Sequence, residues 1–184
     1  MPLVLRARPA RLVQLALLVL LALPELPERK APPGRLARLV LPALLAQLVP
    51  PEPQAHATNV GSQTLATTGD DASFDTNQVE EGTAITHTTS TATFTLGETG
   101  IYRVSYSVVA TNTSSTGTVG VELENNSTPV PGSESQATIS TTNDLATLAA
   151  SVLVNVTGTA TITLTSTENN VTLTEAGIVI QKLN

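Results

Sequence analysis

From residue 58 onward, many segments carry apolar side chains at every second position. That period suits a β-strand, whose successive side chains point to opposite faces. Residues 100–108 set Tyr102, Val104, Tyr106 and Val108 on one face. Residues 118–124 alternate Val119, Val121 and Leu123, and residues 151–156 alternate Val152, Val154 and Val156. Residues 159–165 place Ala160, Ile162 and Leu164 inward. The last run, 177–183, puts Ile178, Ile180 and Lys182 on one face and Val179 and Gln181 on the other. Residues 145–150 fit one or two helical turns, but their continuation into Val152 and Val154 favours a strand. Turn signals separate the runs: Gly69-Asp70-Asp71, Leu96-Gly97-Glu98, Ser114 to Gly117, Asn125-Asn126, Pro131-Gly132, Gly158 and Asn169-Asn170. About eight to ten short strands at this spacing predict an antiparallel sandwich, with no long helical period to compete.

The core of such a sandwich is light. Phe74, Phe94, Tyr102 and Tyr106 are the only aromatic residues in the chain. A small core of Val, Ala, Ile and Leu buries less area per residue than an aromatic one. Covering part of the surface with further copies compensates, so homo-oligomerisation is expected.

Residues 1–54 follow a different rule. From Val4 to Glu52 every third residue is Ala, Val, Glu or Gly, and none of those types occurs at another phase. The following phase holds only Leu, Arg, Gln and Pro. No fold requires that segregation, but the genetic code produces it. The first set has codons beginning with G and the second has codons available that begin with C. Every residue of the third phase has a codon that can end in G. Shifting the frame back by one base turns each repeat into Gly-X-Y. Glycine at every third position is what a collagen triple helix demands, because only Gly fits at its axis. Residues 1–57 are therefore expected to be a non-globular, non-native segment translated out of frame from a collagen-like stalk. The frame is restored near residues 55–58. The alternative is a signal peptide followed by a Pro-rich linker: Arg6, Arg8 and Arg11 precede an apolar run at 12–23, too short for a membrane span.

Charge divides the chain at the same place. From residue 58 only Arg103 and Lys182 are cationic, against twelve carboxylates, a net charge of about −10. That balance argues against nucleic acid and against anionic lipid as partners. The chain has no cysteine, so neither disulfides nor thiolate metal sites arise.

Several runs together carry a family resemblance. Gly100-Ile101-Tyr102-Arg103-Val104-Ser105-Tyr106 resembles the Gly-x-Tyr-x-Phe/Val strand of the tumour necrosis factor and complement globular-head superfamily. Residues 92–99 look like the strand and turn that precede it. Residues 122–132, Glu-Leu-Glu-Asn-Asn-Ser-Thr-Pro-Val-Pro-Gly, are similar to a strand and loop of BclA-like C-terminal domains. Residues 148–156, 159–165 and 176–183 continue the match, so the resemblance spans residues 58–184. It implies an all-β, ten-stranded jelly-roll head that forms a homotrimer at the tip of a collagen-like stalk. It also implies an extracellular place on the exosporium, the outer layer of bacterial spores, or on a cell surface. Partners beyond itself would be other spore-coat or exosporium proteins or host surface ligands.

Constellations for chemistry are sparse, and no enzyme activity, cofactor or metal is expected. His87, in Thr86-His87-Thr88-Thr89, has no Cys or Glu at ligand spacing and reads as a surface or interface histidine. Asp70, Asp71 and Asp75 offer oxygen ligands without the spacing of a calcium loop and read as a solvated turn, as do Glu80-Glu81-Gly82. No nucleophile elbow or phosphate loop is present. Five N-glycosylation sequons, such as Asn155-Val156-Thr157, follow from a composition rich in Asn and Thr. The residues expected to matter are packing and trimer-contact residues: Tyr102, Val104, Tyr106, Val108, Ile178, Ile180 and Leu183. An adhesin tip or a carbohydrate-binding sandwich is the second expectation.

Overall fold

The computed structural model describes residues 52–114, 116–142 and 144–183. The three-phase segment up to residue 51, with both readings of it, lies outside the described residues. The described residues form twelve strands in two six-stranded antiparallel sheets, with no helix among them. The strands are β1 (Gln54–Asn59), β2 (Gln63–Leu65), β3 (Thr76–Glu81), β4 (Ile85–His87), β5 (Phe94–Leu96) and β6 (Gly100–Asn112). They continue as β7 (Gly117–Asn125), β8 (Thr128–Pro129), β9 (Ser135–Ile139), β10 (Ala146–Val156), β11 (Ala160–Ser166) and β12 (Val171–Lys182). The first sheet runs β10-β6-β12-β1-β3, with β2 also on β12, and the second runs β4-β5-β11-β7-β8, with β9 also on β7.

The strand count exceeds the expected ten because two strands are interrupted. β1 and β2 lie along the same edge of β12, against residues 176–181 and 171–173. β8 and β9 likewise share one edge of β7. β1 begins at Gln54, ahead of the domain start at 58 expected from the sequence, and bridges β12 and β3. The ambiguous run at 145–150 is strand from Ala146. Glu80 and Glu81 end a strand, and only Gly82, at φ 79°, turns. The hairpin β7–β8 turns at Asn126-Ser127, one residue beyond the expected Asn125-Asn126. Both residues have positive φ, 51° and 59°, as a type I′ turn requires.

Alternation places one face of each long strand in the core. On β6 the inward set is Tyr102, Val104, Tyr106, Val108 and Ala110, all buried. Ile178 and Ile180 join them from β12. The second sheet contributes Phe94 and Leu96, Val119, Val121 and Leu123, and Ile162 and Leu164. β12 meets a phase problem that a bulge solves. Val171 and Leu173 face in, and strict alternation would then send Glu175 inward. The register shifts between Leu173 and Glu175, so Ala176, Ile178 and Ile180 face in and Glu175 stays exposed.

Candidate assembly surface

With one face of the first sheet in the core, its other face is left without a partner sheet among the described residues. Antiparallel register fixes its rows. Leu153, Arg103, Gln181, Gln54 and Glu81 stand side by side across β10, β6, β12, β1 and β3. The next row is Ser151, Ser105, Val179, His56 and Val79. Small side chains keep the middle low: Ser105 and Ser151 share a hydrogen bond of 2.8 Å, and Gly177 pairs with Ser107. Large apolar groups remain in water here: Leu153 is 64% exposed, Val179 42% and Val79 41%.

The two edges of this sheet differ in protection. β3 carries Glu80 and Glu81, charges of the kind that deter pairing with another strand. β10 is eleven residues long, hydrogen-bonds to β6 on one side, and contains no charged residue or proline. A long uncharged edge beside an exposed leucine is what soluble proteins avoid unless something covers it.

Two hollows among the described residues are smaller than a usual metabolite site. A hollow of about 200 Å³ sits on this face among Thr58, Val60, Val109 and Glu175. Another of about 250 Å³ lies beside β10, between Pro129, Pro131 and Leu153. Ligand pockets usually span about 300–1,000 Å³ with convergent polar groups. No group of three or more His, Asp or Glu able to hold a metal ion occurs among the described residues. No helix among them is long and apolar enough to cross a membrane.

Residues 55–184 match the BclA C-terminal domain family. The chain belongs to that family. No curated protein matches the sequence. Among solved structures, the fold is similar to the globular domain of zebrafish complement 1qA protein, at 8% identity and a TM-score of 0.57, covering 72% of this chain and 98% of that one. It is similar to murine APRIL, at 12% identity and 0.55, covering 72% and 99%. It is similar also to the Eiger TNF of S. frugiperda, at 12% identity and 0.54, covering 74% and 94%. The jelly roll expected from the strand motifs is thus the fold of this domain.

Within this BclA C-terminal domain, the residues singled out from the sequence separate by position. Tyr102, Val104, Tyr106, Val108, Ile178 and Ile180 lie between the two sheets of one chain, while Leu183 is 37% exposed after β12. Their outward neighbours Ile101, Arg103 and Val179, with Leu153 opposite Arg103, form the open face, and sequence reasoning passed over them as a group. The signal was available in the same alternation: strands this long whose outward residues are mostly small or apolar are not finished surfaces.

His87 differs from its expected exposure. It is 8% exposed, with its ring stacked on Phe94 at a centroid distance of 4.1 Å and edge-on to Phe74 at 6.2 Å. Nδ1 lies 2.6 Å from Asn77 Oδ1 and Nε2 lies 3.1 Å from the Thr91 carbonyl. Ile85, two residues before it, marks the inward phase that the flanking threonines obscure. The aspartates are structural. Asp70 accepts hydrogen bonds of 2.9 Å from the Thr67 backbone N–H and hydroxyl, which hold its carboxyl below the usual range. Asp71 accepts one of 2.6 Å from the Thr165 hydroxyl. On the second sheet, partial burial pushes the Glu122 carboxyl up, with Glu134 and Glu124 adding to it.

Proposed function

We propose that this chain is a structural, non-enzymatic head that assembles as a homotrimer. It aligns and nucleates a collagen triple helix and forms the outer tip of a filament on a bacterial spore surface, the exosporium. The observation that carries this reading is the open face of the first sheet with its uncharged β10 edge. A second copy is a natural cover for an apolar, low-relief surface on a domain whose own core is small. Membership of the BclA C-terminal domain family supports the reading. So does the three-residue phase upstream, because a Gly-X-Y stalk needs three chains brought into register. Assembly, not turnover, is the mechanism: burying the β10 edge and the two rows that carry Leu153 and Val79 fixes three chain starts side by side.

Within the second reading, an adhesin or binding module, carbohydrate recognition finds no stacking platform, whereas protein adhesion needs none. All four aromatic side chains are buried.

Multi-angle light scattering of the purified chain tests the assembly. The expected mass is three chains, and Leu153→Asp should shift it toward one while circular dichroism keeps its β signature. A wild-type monomer at micromolar concentration would refute the trimer. Reading the coding DNA tests the stalk: uninterrupted Gly-X-Y triplets are expected one base out of frame, and scattered stop codons there would leave the signal-peptide alternative.

A further inference from the structure

Two permanent cations occur among the described residues, and they are used differently. Lys182 Nζ is 2.7 Å from Glu98 Oε2 within its own chain. Arg103 makes no ion pair with any described residue and hydrogen-bonds through Nη2 to Gln181 Oε1 at 2.9 Å. It stands exposed on a domain rich in carboxylates, yet it pairs with none of the described ones. At the far end of the same row, Gln54 Nε2 donates to Glu81 Oε2 at 3.1 Å. The row therefore reads cation, amide, amide, carboxylate across β6, β12, β1 and β3. Three strand spacings separate the two charges by roughly 14 Å, beyond the reach of an arginine side chain.

We infer that Arg103 pairs with Glu81 of a neighbouring copy, and that this pair sets the register and direction of the ring. The inference rests on the homotrimer proposed above and names the contact that orients it. In a cyclic trimer each contact is heterologous: one end of the face meets the opposite end of the next copy. A row with a cation near one end and a carboxylate at the other is complementary to itself under that operation, and closing the ring forms three equivalent pairs. The apolar flanks agree with the charges. Leu153 stands beside Arg103 and Val79 lies two residues from Glu81, so the same docking brings an exposed leucine toward an exposed valine. Charges at such a rim act on specificity and encounter more than on total affinity, because a wrong register sets carboxylate against carboxylate.

The test is a charge swap in the full chain, read by light scattering over a dilution series, with circular dichroism as the folding control. Arg103→Glu and Glu81→Arg should each raise the concentration at half-dissociation tenfold or more. The double variant should return it to within about threefold of wild type. Arg103→Gln, which adds no repulsion, should fall between wild type and Arg103→Glu, and added salt should weaken wild type more than Arg103→Gln. Single variants that associate like wild type, or a double variant no better than the weaker single, would overturn the pairing while leaving the trimer standing. A wild type that stays monomeric overturns the assembly itself, and the pairing with it.

Discussion

Tyr106→Phe removes one oxygen atom and isolates the bond that ties the β8–β9 loop to the core. The Tyr106 hydroxyl donates to the Ser133 carbonyl at 2.6 Å, with the Val121 carbonyl at 3.2 Å. Ser133 is fully buried, and its own hydroxyl accepts from the Leu123 N–H at 2.9 Å and donates to the Val130 carbonyl at 2.8 Å. The substitution leaves the ring in place, so no large cavity opens. What it costs is a buried carbonyl without a donor, about 1–3 kcal/mol. Near the middle of that range, about 2 kcal/mol, the expected fall in Tm is roughly 6–8 °C for a domain this size. Thermal unfolding should be compared at one protein concentration, since the proposed assembly would make Tm concentration-dependent.

The same residue gives a second, independent readout. Burial, with added repulsion from Glu134 and Glu122, pushes the Tyr106 phenol well above its ordinary value. A raised folded-state pKa favours the protonated form in the native state. Its stabilisation is complete below the unfolded value, about pH 10, and is lost as the pH rises beyond it. The loss can reach about 1.4 kcal/mol per pH unit. Tyr102, also raised by burial and bonded to the Glu98 carbonyl at 2.8 Å, contributes in the same direction. Tyr106→Phe should therefore make the alkaline decline shallower without abolishing it. A variant within about 0.5 kcal/mol of wild type at pH 7, with an unchanged decline above pH 10, would show that the hydroxyl is not the tie described.

Three further outcomes are expected. A Cβ at Gly120 would clash with Thr167 Oγ1 and stand 2.9 Å from Gln136 Cγ, so Gly120→Ala should cost about 1–3 kcal/mol. Thr167 Oγ1 is buried without a hydrogen-bond partner, so adding Thr167→Ala should recover most of that loss; an additive double variant in urea unfolding refutes the contact. His87→Ala should destabilise by about 2 kcal/mol or more, through a cavity beside Phe94 and the loss of both ring hydrogen bonds, and a neutral result would return His87 to the surface. Glu122→Gln should raise Tm at pH 7 and leave it unchanged at pH 3: a carboxyl with raised pKa favours folding below its unfolded value and loses that advantage as pH rises, and equal shifts at both pH values would refute this.

The resemblance drawn from residues 100–106, 122–132 and the terminal run was sufficient to reach the family, because each of those segments carries its own side-chain alternation. The errors share a different origin. His87 sits among threonines, and local polarity suggested water on both sides of β4, whereas Phe74 and Phe94 arrive from other parts of the chain to enclose it. Glu80 and Glu81 looked like a turn until β1 was available to pair with them. The hairpin turn moved by one residue because Asn125 pairs with Ile162 on β11 and so belongs to the strand.

Alternation and turn chemistry are local, and they alone determined which faces of β6, β7, β10 and β11 point inward and that the fold is all-β. Partnership is not local. β1 joins β12 between residues 54 and 181, and nothing in either segment names the other. The position of Arg103 on an open face at the far end of a row from Glu81, and the bareness of the β10 edge, came into being only when the two sheets closed. The physical reason is that a strand's period assigns each side chain to a face, whereas sheet order, set by the sum of many distant contacts, decides which face is covered and which is left for another molecule.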